Sequence, residues 1–391
     1  MLSHLFKLIW NKKKQNFLLI VEMLVSFAVL FAVFTLVVFY YNNYKKDAGF
    51  KYENVWTVSY TVPSGINRND SVMMSIEALR NIISSMPQVK LLSFSGNNVP
   101  FSMNQFNSML SYKNKQALSD FYLGERSYKD VLDLQLVKGS WYSRDMITSR
   151  TKPVVINETL KENLFGNEDP IGKIISSDPE KFKVVGVVHD FKSKGDYQDA
   201  GNGLFRVLDS ADYKNQNSIL IKVDPDANAA FEAKLYKTLS NFSKNANTEI
   251  EHLDKKLVSK NKVTLVPMLI LLIVASFLII NVALGLFGVL WYNINKRRGE
   301  IGLRRAIGAS GNSISKQLVG EALVLATLSL IIGSFFAIQF PLLNVFDLPA
   351  HIYITALLLS IAFIYLLVTI CALYPGKQAA AIYPAVALHE E

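Results

Sequence analysis

Cysteine is almost missing from these 391 residues: Cys371 is the only one. A lone thiol excludes an intrachain disulfide and any zinc site built on cysteines, so the fold must be held by its core. Histidine is also scarce. His4, His189, His252, His351 and His389 are scattered without ligand-spaced partners, which argues against a metal centre. There is no HExxH, nucleophile elbow or triad, so a hydrolase has no constellation to work with. Gly166 to Lys173, GNEDPIGK, falls short of a phosphate cradle. Its glycines are one residue too far apart and Ile174 stands where Ser or Thr would bind magnesium, so the stretch reads as a turn. Asp190, after Val187 and Val188, reads as a charged strand end rather than a catalytic acid.

Acidic residues are sparse outside one region. Residues 42–262 hold 30 Lys/Arg against 26 Asp/Glu, whereas the other 170 residues hold 11 and 6. The net charge of +9 therefore comes in good part from residues flanking apolar runs. That distribution speaks for membrane topology and against nucleic-acid binding.

Long apolar runs are what the chain does have. Residues 17–41, 263–292, 318–340 and 352–374 are each long enough to cross about 30 Å of hydrocarbon. Between the second and third, residues 293–317 contain NKRRGEIGLRRAIGAS. Lys296, Arg297, Arg298, Arg304 and Arg305 cannot be hydrated in lipid, and such a cluster marks the cytoplasmic side. Glu300 and Arg304 are spaced as an i,i+4 ion pair, Ile301 and Ile307 are available for docking, and Gly308 offers a helix stop. A short amphipathic helix at the membrane edge is expected.

The fold class expected is a multi-pass α-helical membrane protein with four transmembrane helices and a large α+β extracytoplasmic domain inserted between helices one and two. Residues 1–16 carry Leu2, Leu5, Phe6, Leu8 and Ile9 ahead of three lysines, which suits a helix in the headgroup region and equally an ordinary basic flank. The first apolar run offers no small-residue cleavage site and reads as a retained anchor. Glu22 inside it, and Glu321 about one turn into the third run, read as interfacial carboxylates, Glu321 paired with Lys316 or an arginine. Asn281, Gly285 and Gly288 suggest close helix packing, as do Gly320 and Gly333, and Ser313 is placed to cap the third helix. Residues 341–351 form a short outer loop, and 375–391 a cytoplasmic tail with a small-residue helix between Pro375 and Pro384. Both termini then lie inside.

Residues 42–262 alternate between strand and helix patterns. Strands are expected at 55–62, 89–95, 153–157, 182–188 and 218–223, and helices at 71–86, 159–165, 227–242 and 252–262, the last running into the second span. Two lobes are expected, the middle of the domain being inserted into the first.

This arrangement resembles the MacB/FtsX-type permeases of ABC transporters. The likeness is carried by RRGEIGLRRAIGAS at 297–310, by QLVGEALVLATLSLIIGSFFA in the third span, by the tail YPGKQAAAIYPAVALHEE, and by VVINETLKENLFGNEDPIGKII and FKVVGVVHDF outside the membrane. The last two are similar to the MacB-type periplasmic core domain.

The resemblance implies a non-catalytic permease of the bacterial inner membrane, worked by a separate cytosolic ABC ATPase that binds the ATP and magnesium. The chain itself would hold no cofactor. It implies coupling through Arg297, Arg298, Glu300, Ile301, Gly302, Arg304, Arg305, Ala306, Ile307 and Gly308, with stiff helices relaying movement outward, called mechanotransmission in the family. A second permease, identical or related, is an implied partner. A periplasmic adaptor and an outer-membrane channel suit efflux or extraction of a peptide, drug or lipid-linked substrate. The alternative is an FtsX-like signal transmitter that regulates an envelope enzyme or senses antimicrobial peptides.

Overall fold

A computed structural model of the chain describes residues 13–60, 69–143, 146, 151–209, 212–215, 218–242 and 248–381. Most of the N-terminal flank, 1–12, and the tail with Pro384 lie outside the described residues. The described chain divides into two compact units, residues 42–264 and the remainder.

In chain order the elements are α1 (Lys13–Tyr44), β1 (Val55–Ser59), α2 (Asn69–Ser84), β2 (Val89–Ser95), β3 (Asn107–Tyr112), β4 (Lys115–Gly124), α3 (Tyr128–Leu132), β5 (Leu136–Gly139) and β6 (Lys152–Asn157). They continue with α4 (Glu158–Phe165), β7 (Ile174–Ser177), β8 (Glu180–Val188), β9 (Gly203–Val207), α5 (Asp212–Asn215), β10 (Ser218–Val223), α6 (Ala229–Phe242) and β11 (Glu249–His252). The last are α7 (Leu253–Lys296), α8 (Arg298–Ala306), α9 (Gly311–Ala337), α10 (Gln339–Leu342) and α11 (Ala350–Ala380).

In the outer domain the described strands join into one sheet with two parts. Strands β11, β1, β10 and β2 are antiparallel neighbours. Strands β4, β3, β7, β8, β6 and β9 follow one another and close into a ring, because β9 pairs back onto β4 in parallel. The two parts meet at one registered pair, Ser95 with Gly124. Since β10 returns beside β2, everything from β3 to β9 is an insertion into the first part.

Strands β1, β6, β9 and β10 are covered on both faces, whereas β3 and β7 bury one face only. Phe121, Leu123, Val154, Ile156, Ile219 and Ile221 belong to one cluster with α2, α4 and α6, and the alternate residues Tyr122, Val155 and Leu220 belong to another with α3. The period-2 alternation of a strand sends neighbours to opposite faces, so strands this buried become apolar throughout. The second cluster is aromatic: Phe50, Phe101, Tyr122, Tyr142, Phe191 and Phe205 are nearly or fully buried in it.

Within the membrane unit, Leu19, Met23, Phe27 and Leu30 of α1 pack with Leu286 and Leu290 of α7, Ala322, Ala326 and Leu330 of α9, and Ala356, Ile364 and Val368 of α11. Lipid tails supply no hydrophobic drive between helices, so close approach at small residues matters most. Gly333 does this: a Cβ there would come within 2.4 Å of the Phe27 ring. Gly285 lies against Glu22, whose carboxylate would be 2.7 Å from such a Cβ. Gly288 and Gly320, expected to pack in the same way, have nothing within 4 Å, and Asn281 bonds to Phe277 O in its own helix rather than to a neighbour.

Four helices are long and apolar enough to cross a membrane by length and composition. The second joins the helix expected over 252–262 to its apolar run: it begins at Leu253, in the outer domain, and runs 44 residues through Pro267 without a break, about 66 Å at 1.5 Å per residue. In the fourth, Pro375 does not stop the helix, which continues through Lys377 to Ala380. Gly376 is small enough for Ser315 of α9 to approach, and Ala379 is fully buried, so packing here outweighs the backbone bond that proline cannot make.

Candidate functional site

Helix α8 starts one residue after α7 ends, with Arg297 between them as its N-cap. Glu300 falls in its first turn and Arg304 and Arg305 in its last, complementing the partial charges of the helix ends. It stops as Gly308 predicts: Gly308 takes φ +103°, its N–H donates to Arg305 O, and the Ala309 N–H to Arg304 O. These paired bonds satisfy carbonyls that a helix end leaves open, and a β-branched residue could not adopt that φ without strain. The cap of the next helix is Ser310, not Ser313. Ser310 has an extended backbone and its hydroxyl accepts from Ser313 N, so α9 begins at Gly311, several residues before the apolar run.

Side chains behind α8 form a closed circuit. Arg297 Nε donates to Glu300 at 3.0 Å and its Nη1 to Glu321 at 3.1 Å. Glu300 accepts from Arg304 Nη2 at 2.6 Å, and Arg304 Nη1 donates to Gln317 at 3.0 Å. Gln317 Nε2 then donates to Glu321 at 3.1 Å, returning to the start. Two of the five members stand on α9, so the circuit ties α8 to that helix. Glu321 is thus an interfacial carboxylate partnered by Arg297 rather than by Lys316.

Ile301 and Gly302 do not face outward as expected. Ile301 is 6% exposed and packs with Ile294 of α7, Ile314 and Leu318 of α9 and Ala379 of α11, and Gly302 is also buried. Arg297 is turned inward by its two carboxylates, and Arg298 is half-buried at the first turn. Arg305 is half-buried, with its Nε unpaired among the described residues. The exposed apolar side chains are Leu303 and Ile307, at 51% and 79%. Four residues apart, they share one face, with Ala306 also exposed. Sequence reasoning missed Leu303 and Gln317. Gln317 had a usable signal, standing four residues before Glu321.

In the outer domain Asp190 closes a second polar cluster. Its carboxylate accepts from Thr159 N, Thr159 Oγ1 and Asn157 Nδ2, while Asn157 Oδ1 accepts from Leu160 N and Gly203 N. Asn157 is the N-cap of α4. Asp190 serves that helix start, and its bonds leave it an anchoring role.

The GNEDPIGK turn is pinned through Glu168, which accepts from Tyr112 and Lys113 and pairs with Lys173. The hydrogen bonds from Lys113, Lys173 and Tyr112 hold its carboxyl down at about 2.

Two family profiles match. The MacB-like periplasmic core domain covers residues 17–237, more than half the chain, and the FtsX-like permease C-terminal domain covers 270–384. The chain belongs to the MacB/FtsX-type permeases.

Relatives include the macrolide export ATP-binding/permease protein MacB of Chlorobium luteolum, 28% identical over 271 residues, covering 65% of this chain and 40% of that protein. MacB of Bdellovibrio bacteriovorus is 24% identical over 296 residues, covering 72% and 45%. The permease described here thus spans less than half the length of these relatives. Among solved structures, the periplasmic region of MacB from Actinobacillus actinomycetemcomitans is 20% identical, covering 55% of this chain and 95% of that one with a TM-score of 0.38. The extracellular domain of the noncanonic ABC-type transporter YknZ from Gram-positive bacteria is 16% identical, covering 51% and 100%, with a TM-score of 0.36. As a MacB/FtsX-type permease the chain is a transmembrane ABC-transporter component carrying a periplasmic core domain.

Proposed function

We propose that this permease couples ATP hydrolysis by a separate cytosolic ABC ATPase to movements of its outer domain, and so extracts or exports a substrate from the far side of the bacterial inner membrane. ATP and magnesium belong to the ATPase, and α8 and both termini lie in the cytosol. The observation that carries this reading is the state of α8. It is locked from behind by a side-chain circuit and a buried isoleucine, yet it presents Leu303 and Ile307 to solvent. A rigid helix with an exposed apolar pair suits insertion into a groove on a partner. A second permease completes the assembly: α7 leaves Leu269, Ile273, Phe277, Ile280 and Leu284 more than half exposed along its apolar stretch, and is the least covered of the four helices.

The test is affinity purification of the full chain from its own host in mild detergent. A P-loop ATPase should be recovered, and Leu303→Asp with Ile307→Asp should lose it while membrane insertion is unchanged. Undiminished recovery removes the docking role. Ile301→Asp is the wrong probe, because it buries a charge in the seat of the helix and confounds docking with folding. Whether a pull-down with the intact permease also brings an exit channel or a wall hydrolase separates efflux from the signalling alternative.

A further inference from the structure

A second convergence of polar groups lies in the outer domain, in residues 189–198 after β8. Lys192 is 4% exposed, and its ammonium donates to three backbone carbonyls: Asn43 at 2.7 Å, Lys46 at 3.0 Å and Asp196 at 2.9 Å. An ammonium has three donors, so its capacity is filled. Asn43 lies in the last turn of α1, where carbonyls lack helical partners and positive charge is favoured. The same segment grips this helix end again through Asn43 Nδ2 to Tyr197 O and the stacked rings of Tyr44 and Tyr197, and holds the stretch just beyond it through Lys192 N to Ala48 O.

A few residues on, the segment holds the third turn of α7. Asp196 N donates to Asn261 Oδ1 at 3.0 Å, and Asn261 Nδ2 donates to the Asp196 carboxylate at 2.7 Å. Gly195, at φ +100°, passes so close that a Cβ would lie 2.7 Å from Asn261 Oδ1. At its base the segment is fixed to the sheet, by Asp190 at the start of α4 and by Phe191, 1% exposed in the aromatic cluster.

A lysine kept only for packing would not need its charge, and burying that charge is costly unless every donor is used. We propose that residues 189–198 are a clasp. It fastens the outer ends of α1 and α7 to each other and to the β6, β8, β9 part of the sheet, with Lys192 and Asn261 as its positioning residues. The clasp gives the coupling described above its point of delivery, and in that purpose it rests on that reading. Its existence does not depend on an ATPase.

The test uses the full chain in lipid nanodiscs, with Cys371→Ala and spin labels at positions 45 and 258, both exposed. Pulsed dipolar spectroscopy should give one narrow distance distribution, and Lys192→Met or Asn261→Leu should at least double its width. A control pair at 116 and 237, within the domain, should stay narrow. An unchanged width in both variants, or equal broadening of the control pair, overturns the clasp. Neither outcome bears on whether an ATPase binds α8, which the purification reads separately.

Discussion

Arg297 Nη1 stands 3.1 Å from Glu321 Oε2, joining the residue between α7 and α8 to a position about three turns into α9. Their side chains are 14% and 20% exposed, so solvent screens the pair only in part. Arg297→Ala takes one partner from each of Glu321 and Glu300, leaving Gln317 on the first and Arg304 on the second, and losing a hydrogen bond to a charged group costs about 1.5–3 kcal/mol. Amide exchange across 298–306 should therefore accelerate by roughly 10- to 100-fold. The swap Arg297→Glu with Glu321→Arg should recover part of the protection. Exchange in Arg297→Ala indistinguishable from the parent would show that the circuit does not hold the helix.

Asp190→Ala removes the acceptor for Thr159 N, Thr159 Oγ1 and Asn157 Nδ2 at the start of α4. Loss of an N-terminal capping acceptor costs about 0.5–2 kcal/mol. At about 2–4 °C per kcal/mol for a domain of this size, melting of the outer domain should fall by a few degrees. Asp190→Asn keeps one acceptor oxygen and should fall less. Equal melting of Asp190→Ala and the parent would deny the anchoring role.

Glu168 provides a pH test. Its folded value of about 2 lies below the ordinary 4.5, because Lys113, Lys173 and Tyr112 favour the ionised form. A depressed carboxyl stabilises the fold above its unfolded value and loses that contribution as pH falls through its folded one. Glu168→Gln should therefore melt below the parent at pH 6, and the gap should close between pH 5 and pH 2. A gap that stays constant across that range would remove the charge as its cause.

How legible a region was in the sequence depended on whether its signal was local. Strands β2 and β10 were readable because apolar residues run through them between clear breaks. Strands β3 and β11, NSMLSY and EIEH, were not. Both are rich in polar residues and only partly buried, and they are strands because neighbouring backbones, β4 and β1, supply their hydrogen bonds. Within α8 the sequence offered Ile301 and Ile307 as equals. Only the presence of Ile294, Ile314, Leu318 and Ala379 around the first decides that it is seated while the second is left exposed.

The sequence by itself determined that this chain has four membrane-length apolar helices, a large mixed domain after the first, and a basic helix between the second and third. Hydrocarbon solvation and helix spacing act on consecutive residues, so a linear reading is enough. Tertiary structure decided which arginine Glu321 pairs with, which face of α8 is free, and that Lys192 closes on Asn43, 149 positions away. Those outcomes depend on which distant groups desolvate one another, and a buried ammonium or carboxylate has its role set by whatever the fold brings within about 3 Å of it.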